Sequence, residues 1–415
     1  MKLVYFVIAV LVGSLVVPLS AIANELTLRD ALERAVQDNP GLQTYPYQQR
    51  MAEAEKLQAS LTPNPTLGIE LENIVGSASN RGIDNAEATL SFSQLVELGD
   101  KRSRRVDVAS AEQQQLDAEF NYEKVEVLAE TARRFYELVL LQALANWSQQ
   151  QELRLEDALD IATERVESGA VPPSEVTRIR LQQRQTVANS EEITGKIAQA
   201  KSNLSAMWAA EPHFSRVVGE FDDSIHLPST ADVESAVNQA PEFLRLVDSE
   251  RLLAAKANAL EAASVTDLTL GVGVRYNNQF NESSLVLQAS MPLQLTNPNQ
   301  GLVRSNQAER NLLLDQQRIV REQLRVYTRA ILARLQMNQN YLERIQLDLL
   351  PLAQQLEQET TAGYVKGIHN LLIVLDAQEE LAQLEYEQIN RRYAIYQDIL
   401  ELERMTGQSF LESAL

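Results

Sequence analysis

The chain has 415 residues, 45% of them apolar, with 15 glycines, no cysteine and a formal net charge of −20 at pH 7. Without cysteine there is no disulfide, thiolate metal site, nucleophilic thiol or lipid anchor on an N-terminal cysteine, and the acidity argues against a nucleic-acid partner, because phosphate binding needs a basic surface. Three histidines far apart in sequence (His213, His226 and His369) leave little for a zinc site or a histidine base, so the sequence speaks through its architecture.

At the start, Lys2 precedes an apolar run from Leu3 to Val17, and Ala21-Ile22-Ala23 follows. A positive start, a short apolar stretch and an A-x-A ending describe a secretory signal peptide over residues 1–23, the run being short for a membrane anchor. Residues 24–415 are then the exported chain.

Segment 27–61 has helical periodicity. Next come alternating stretches: Leu67, Ile69 and Leu71 against Gly68, Glu70 and Glu72, then Ala88, Leu90 and Phe92 against Glu87, Thr89, Ser91 and Ser93. From Lys101 to Ser168 neither proline nor glycine occurs, and Val106, Ala109, Leu116, Phe120, Leu128, Phe135 and Val139 follow a heptad-like spacing. A turn with Gly169 and Pro172-Pro173 leads into a helix over 174–209, and residues 210–230 form a link. The order then recurs: helical segment 231–265, alternating runs 268–277 and 285–291, a long helix over 300–362, a turn with Gly363, and a helix over 369–406. In the second long helix Val320, Leu324, Tyr327, Ile331, Leu335, Leu342, Ile345, Leu349, Leu352 and Leu356 mark the seam, and Pro351 is a place for a local bend.

The two halves share sequence as well as order. Leu32-Glu33-Arg34-Ala35-Val36-Gln37-Asp38-Asn39-Pro40 has its counterpart in Val233-Glu234-Ser235-Ala236-Val237-Asn238-Gln239-Ala240-Pro241, and Gly169-Ala170-Val171 in Gly363-Tyr364-Val365. The exported chain is therefore read as one protomer of two structural repeats, about 24–212 and 228–410, units too long for a small solenoid repeat.

Period-two alternation means strands with two different environments. A span of ~9–11 tilted residues suits a membrane barrel, and no other element is assigned to the apolar faces. Four strands cannot close a barrel and open edges are not tolerated in lipid, so several chains must share one. Two copies give eight strands and three give twelve; polar lumen residues favour the wider, trimeric barrel. A soluble hairpin insert on a helical protein is the alternative. Heptad spacing in the long helices describes coiled-coil seams, and the first extends about 100 Å, too long and too charged for lipid. Length matching suggests that helix 174–209 stacks end to end with segment 231–265, and helix 369–406 with segment 27–61, each pair beside one long helix. The expected fold is mainly α with a small transmembrane β part: a long coiled-coil helical barrel plus four strands per protomer in a trimeric twelve-stranded β-barrel.

Pro63-Asn64-Pro65-Thr66-Leu67 before the first strand, Val96-Glu97-Leu98-Gly99-Asp100-Lys101-Arg102 entering the first long helix, and the stretch from Met291 to Gly301 entering the second resemble the TolC-type outer-membrane efflux proteins, specifically their CzcC-like heavy-metal branch; Leu375-Asp376-Ala377-Gln378 is a family-wide feature. The resemblance covers essentially all of the exported chain. It implies a homotrimeric duct in the bacterial outer membrane with a long periplasmic extension, coupled through a periplasmic adaptor (membrane fusion protein) to an inner-membrane resistance-nodulation-division pump. Such a duct conducts its cargo, here heavy-metal cations, passively. The same duct serving drugs or secreted polypeptides, and a periplasmic coiled-coil spacer without a pore, are the alternatives. No nucleophile triad, phosphate-cradling glycine loop or clustered metal ligands occur; no catalytic residue, cofactor or resident metal is expected.

Three sets of residues remain as functional candidates. At the helix-turn-helix tips, Gly169 and Gly363 are expected to supply helix-ending left-handed backbone, while Val166, Val171, Val365 and Ile368 offer apolar surface to adaptor helices, as the resemblance implies. Asp376, by the same resemblance, lies near the periplasmic entrance, where three copies would form a negative ring; pairing with a neighbouring helix is the other reading. Many relatives of this type carry a further acid where this chain has Ile373. Finally, the alternation points Glu70, Glu72, Glu87 and Arg275 into the barrel lumen, predicting a mildly cation-preferring pore.

Overall fold

The computed structural model describes residues 25–75, 83–221 and 227–410; the signal-peptide segment, His226 and most of the first hairpin turn lie outside them. Uninterrupted helix-forming sequence from Lys101 yields α3 (Lys101–Glu167), 67 residues long. Ahead of it lie β1 (Glu25–Thr27), α1 (Leu28–Asp38), α2 (Tyr45–Ser60), β2 (Thr66–Glu72) and β3 (Glu87–Val96). Behind it come α4 (Ser174–Ser205), β4 (Arg216–Val218), α5 (Thr230–Ala236) and α6 (Pro241–Ala262). The second passage continues with β5 (Leu268–Asn277), β6 (Glu282–Ser290), α7 (Gln300–Arg344), α8 (Leu350–Val365) and α9 (Leu371–Thr406). The segments 27–61 and 231–265 are each broken rather than continuous. Asn39 turns the chain after α1, its side chain accepting from Gly41 N at 2.9 Å, and Pro241, which lacks an N–H, can only open a new helix. Thr27 and Asp30 form a reciprocal capping box that starts α1.

One antiparallel sheet has the order β2-β3-β5-β6. Its register aligns Leu71, Ala88, Tyr276 and Ser283 across the four strands, and Glu70, Thr89, Arg275 and Ser284 beside them. Directly paired residues share a face, so Leu67, Ile69, Leu90, Phe92, Val272, Val274, Leu285 and Leu287 make one apolar face, with exposures from 46% to 77%. No described element covers it. A second, parallel sheet pairs β1 with β4 inside the link between the halves. Three-residue strands carry no readable periodicity, so the sequence by itself shows only a link there. Gln142 of α3 clamps β4 by accepting from Val217 N and donating to Val217 O, both at 3.0 Å.

The helices make four columns, but not the ones that length matching suggested. α2 and α4 both lie against α3: Tyr45 stacks on Phe120 at the end near the strands, with ring centroids 3.8 Å apart, while Ile179 joins Leu155 and Ala158 at the far end. α6 and α9 lie between α3 and the α7–α8 column. Gln115 donates to Ser249 Oγ at 3.1 Å on one level, and Trp147 donates to the Ala382 carbonyl at 3.2 Å on the other. The stacked pairs are thus α2 with α4 and α6 with α9. Helices of near-equal length fit either arrangement, and only lateral contacts choose. The largest core sits midway, where Phe135, Leu138, Leu335, Ile399 and Leu402 are buried among α1, β4 and Trp208.

A second correction concerns the α7 seam. Leu324, Ile331, Leu335, Leu342 and Ile345 are buried as expected, but Tyr327 is exposed, and Leu352 and Leu356 are 63% and 45% exposed. Between α7 and α8 the residues Ile345–Leu349 form a π-helical turn. It accommodates one extra residue, so the seam advances by one and Ala353 and Thr360 are buried instead. Pro351, in the first turn of α8, needs no N–H partner there, and the helix carries on past it.

Candidate functional site

The strand-to-helix junction explains the signature from Val96 to Arg102. Gly99 and Asp100 both have positive φ, +72° and +58°, and a Cβ on Gly99 would come within 2.8 Å of Val265. Around this reversal Asp267 accepts from Leu98 N at 3.1 Å and from Lys101 Nζ at 2.7 Å, while Arg105 pairs bidentately with Glu97, one contact at 3.0 Å. The Arg105 hydrogen bond outweighs burial and holds the Glu97 carboxyl below its ordinary value. For Asp267 burial alone would raise the pKa, but hydrogen bonds from Lys101 and Leu98 prevail and lower it.

Both tips end their first helix with the same double hydrogen bond. Gly169 N donates to Val166 O at 2.9 Å and Ala170 N to Arg165 O at 2.8 Å; Gly367 N donates to Tyr364 O at 3.0 Å and Ile368 N to Gly363 O at 2.8 Å. The left-handed residues are therefore Gly169 and Gly367, with φ of +75° and +76°. Gly363 was expected in that role, but it is buried within α8, where the His369 ring lies so close that an added Cβ would overlap Cδ2 and lie 2.8 Å from Nε2. The motif match with Gly169-Ala170-Val171 is displaced by one helical turn, because both glycines precede an apolar residue.

Val166 and Val171 are half-buried, whereas Val365 and Ile368 are 58% and 72% exposed. Sequence reasoning missed the link between the tips. Arg165 donates to the Tyr364 carbonyl and its guanidinium lies 4.3 Å from the Tyr364 ring centroid, and Tyr364 Oη donates to Glu175 at 2.7 Å. Burial, then the hydrogen bond to Glu175, push the phenol above its usual range.

Asp376 is exposed on α9, in a groove that it lines with Ile373 and Glu379 on the same helix, Trp147 and Arg154 of α3, and Arg178 of α4. It has no ion-pair partner among the described residues. On the sheet, Glu70, Glu72, Glu87 and Arg275 share the polar face. Arg275 lies 3.3 Å from both Glu72 and Glu87 and donates to Thr89 Oγ1 at 3.0 Å, while Asn277 donates to Glu87 at 2.8 Å. Thr89, Asn277 and the exposed Glu282, which pairs with Asn277 across strands, belong to this face too. Glu70 has no ion partner among the described residues.

No helix among the described residues is long and apolar enough to cross a membrane; the apolar sheet face is what lipid can meet. The family model described as outer membrane efflux protein matches residues 31–210. The cobalt-zinc-cadmium resistance protein CzcC of Cupriavidus metallidurans is 25% identical over 397 residues, 93% of this chain and 91% of that protein. The nickel and cobalt resistance protein CnrC of the same organism is 25% identical over 286 residues, 67% of this chain and 66% of that protein. Among solved structures, CusC superposes with a TM-score of 0.74 at 15% identity, covering 91% of each chain. Over residues 31–210 the chain thus carries the pattern of the outer membrane efflux proteins, and the comparisons support an outer-membrane exit duct with a long periplasmic helical body rather than an enzyme.

Proposed function

We propose that three copies form the outer-membrane exit duct of a tripartite efflux system that passively conducts heavy-metal cations from a periplasmic adaptor and a resistance-nodulation-division pump. The observation that carries the duct is the uncovered two-faced sheet continuous with a helical body about 100 Å long. Its edge strands β2 and β6 have unpaired outer sides in one protomer, a state lipid does not tolerate; twelve strands close the ring with the polar face inward and water-filled. The cargo follows from the names of the metal-resistance relatives. Conduction through the barrel passes four carboxylates to one guanidinium per protomer, a local field favourable to cations. Among the described residues the scattered donors include no imidazole cluster, and the chain has no cysteine, so discrimination among soft metals falls to the pump and adaptor.

In this reading Val365 and Ile368, with Val166 and Val171 behind them, meet adaptor helices, and Asp376 lies at the entrance. The halves 24–212 and 228–410 are two structural repeats, a reading supported by the recurring order of hairpin, long helix, turn and shorter helix and by the matched tip turns. The test is to purify the exported chain from membranes in detergent, measure its mass, record single-channel currents in a planar bilayer, and score metal tolerance of a strain lacking the gene. Trimers with conductance and a lowered tolerance restored by the gene are expected. A water-soluble monomer without channels would end the duct reading, and unchanged metal tolerance would end the metal reading alone.

A further inference from the structure

In the half away from the strands, the helical layer ends in α4 on one side and α8 on the other. α4 packs on α3, and α8 on α9; the opposite faces are open. On α4 the open face carries Leu181 (62% exposed), Arg184, Ala188 and Gly195 at heptad spacing, and a Cβ on Gly195 would meet nothing. On α8 it carries Leu352, Leu356 and Glu359. The two leucines are outside because the π-turn advanced the internal seam past them.

The two edges are complementary in charge. The first half of α4 has Arg180 and Arg184 on this side, and Arg178 in the groove it shares with Asp376, against one acid, Glu175, which Tyr364 already engages. From Ile345 to Val365 there are Asp348, Glu357 and Glu359 and no base. None of these three arginines and three acids has an ion partner among the described residues. They are also level with one another. α4 climbs from the tip at Ser174 while α8 descends to it at Val365, so Arg180 and Glu359 are equally far from those ends, and Ala188 and Leu352 nearly so.

We infer that α4 of one copy seats against the π-turn and α8 of the next, with Leu352 and Leu356 entering beside Ala188 and Leu181 and with Arg180 facing Glu359. Different surfaces meet, so the contact is head-to-tail and closes when repeated around a symmetry axis. Apolar knobs over small residues supply the packing, and exposed ion pairs fix the register more than they stabilise it. The inference rests on the trimer reading and names its seam.

Because the chain has no cysteine, Ala188→Cys combined with Leu352→Cys can be treated with a short bis-maleimide in detergent-solubilised protein of measured mass. Covalent dimers and trimers from the double variant, and only monomers from either single one, are expected. A trimeric mass without cross-links overturns the seam and leaves the trimer; a monomeric mass overturns both. Independently, Arg180→Glu should lower the temperature at which the trimer dissociates, and adding Glu359→Arg should restore it. Equal dissociation of all forms overturns the seam, as does a single variant that keeps its trimer but loses adaptor capture, which would make the stripe an adaptor surface.

Discussion

Gly363 and His369 show how one missing side chain shapes a tip. With only hydrogen at 363 the imidazole occupies the place a Cβ would take against α8, and the Gly363 carbonyl receives the amides of both Ile368 and His369, the latter at 3.2 Å. Gly363→Ala should therefore overpack the turn and cost about 1–3 kcal/mol, read as a lower thermal midpoint of the purified protein. His369→Ala in the same chain should recover most of that loss, and a double variant no more stable than Gly363→Ala would show that the ring is not the obstacle. Asp376 invites a different measurement. Its carboxylate is exposed and without an ion partner among the described residues, so Asp376→Asn trimers in a planar bilayer should lose cation preference at unchanged stability; an unchanged preference would remove it from the entrance.

At the scale of elements, the junction between β3 and α3 depends on carboxylates in their ionised form. Glu97 and Asp267 are both held below their ordinary values of 4.5 and 3.8. A lowered folded-state pKa contributes stability that is fully present above the unfolded value and is lost as pH falls through the folded one. The junction should thus be insensitive to pH near neutrality and weaken as pH drops below 4.5 for Glu97 and below 3.8 for Asp267. Glu97→Gln should flatten that acid limb, which thermal unfolding at a series of pH values would reveal. In the central core, Leu335→Ala removes a side chain with no exposed surface and should cost about 2–5 kcal/mol; the same change at Leu352 should cost a detergent-dispersed monomer little, because the π-turn has already moved Leu352 out of the internal seam.

For the whole molecule, the polar sheet face sets the expected permeation. Arg275 is shared by Glu72 and Glu87, which leaves Glu70 and Glu282 as its unneutralised acids. Reversal potentials in a salt gradient should therefore shift toward less cation preference in Glu70→Gln and toward more in Arg275→Gln. A response of the same size to Glu72→Gln as to Glu70→Gln would mean that the ion pairs do not form in the assembled barrel.

How much of this could be read beforehand depends on the range of the interaction concerned. Alternation and heptads are local and repeated, so the four long strands, α3, the apolar and polar faces of the sheet and the duct-like architecture were legible in the residues, as was the placing of Glu70, Glu72, Glu87 and Arg275 on one face. The β1–β4 sheet was not, since three-residue strands joined across the chain leave no period to detect. Helix lengths could not choose between two column pairings of similar total length. A π-turn displaces a heptad by one residue without any mark in the pattern of leucines, and the real left-handed glycine of the second tip, Gly367, stood four residues from another glycine that matched the motif better. The sequence by itself determined which residues avoid water and with what period. Only the tertiary structure decided which neighbour each apolar stripe meets, because that choice is made by contacts between segments far apart in the chain.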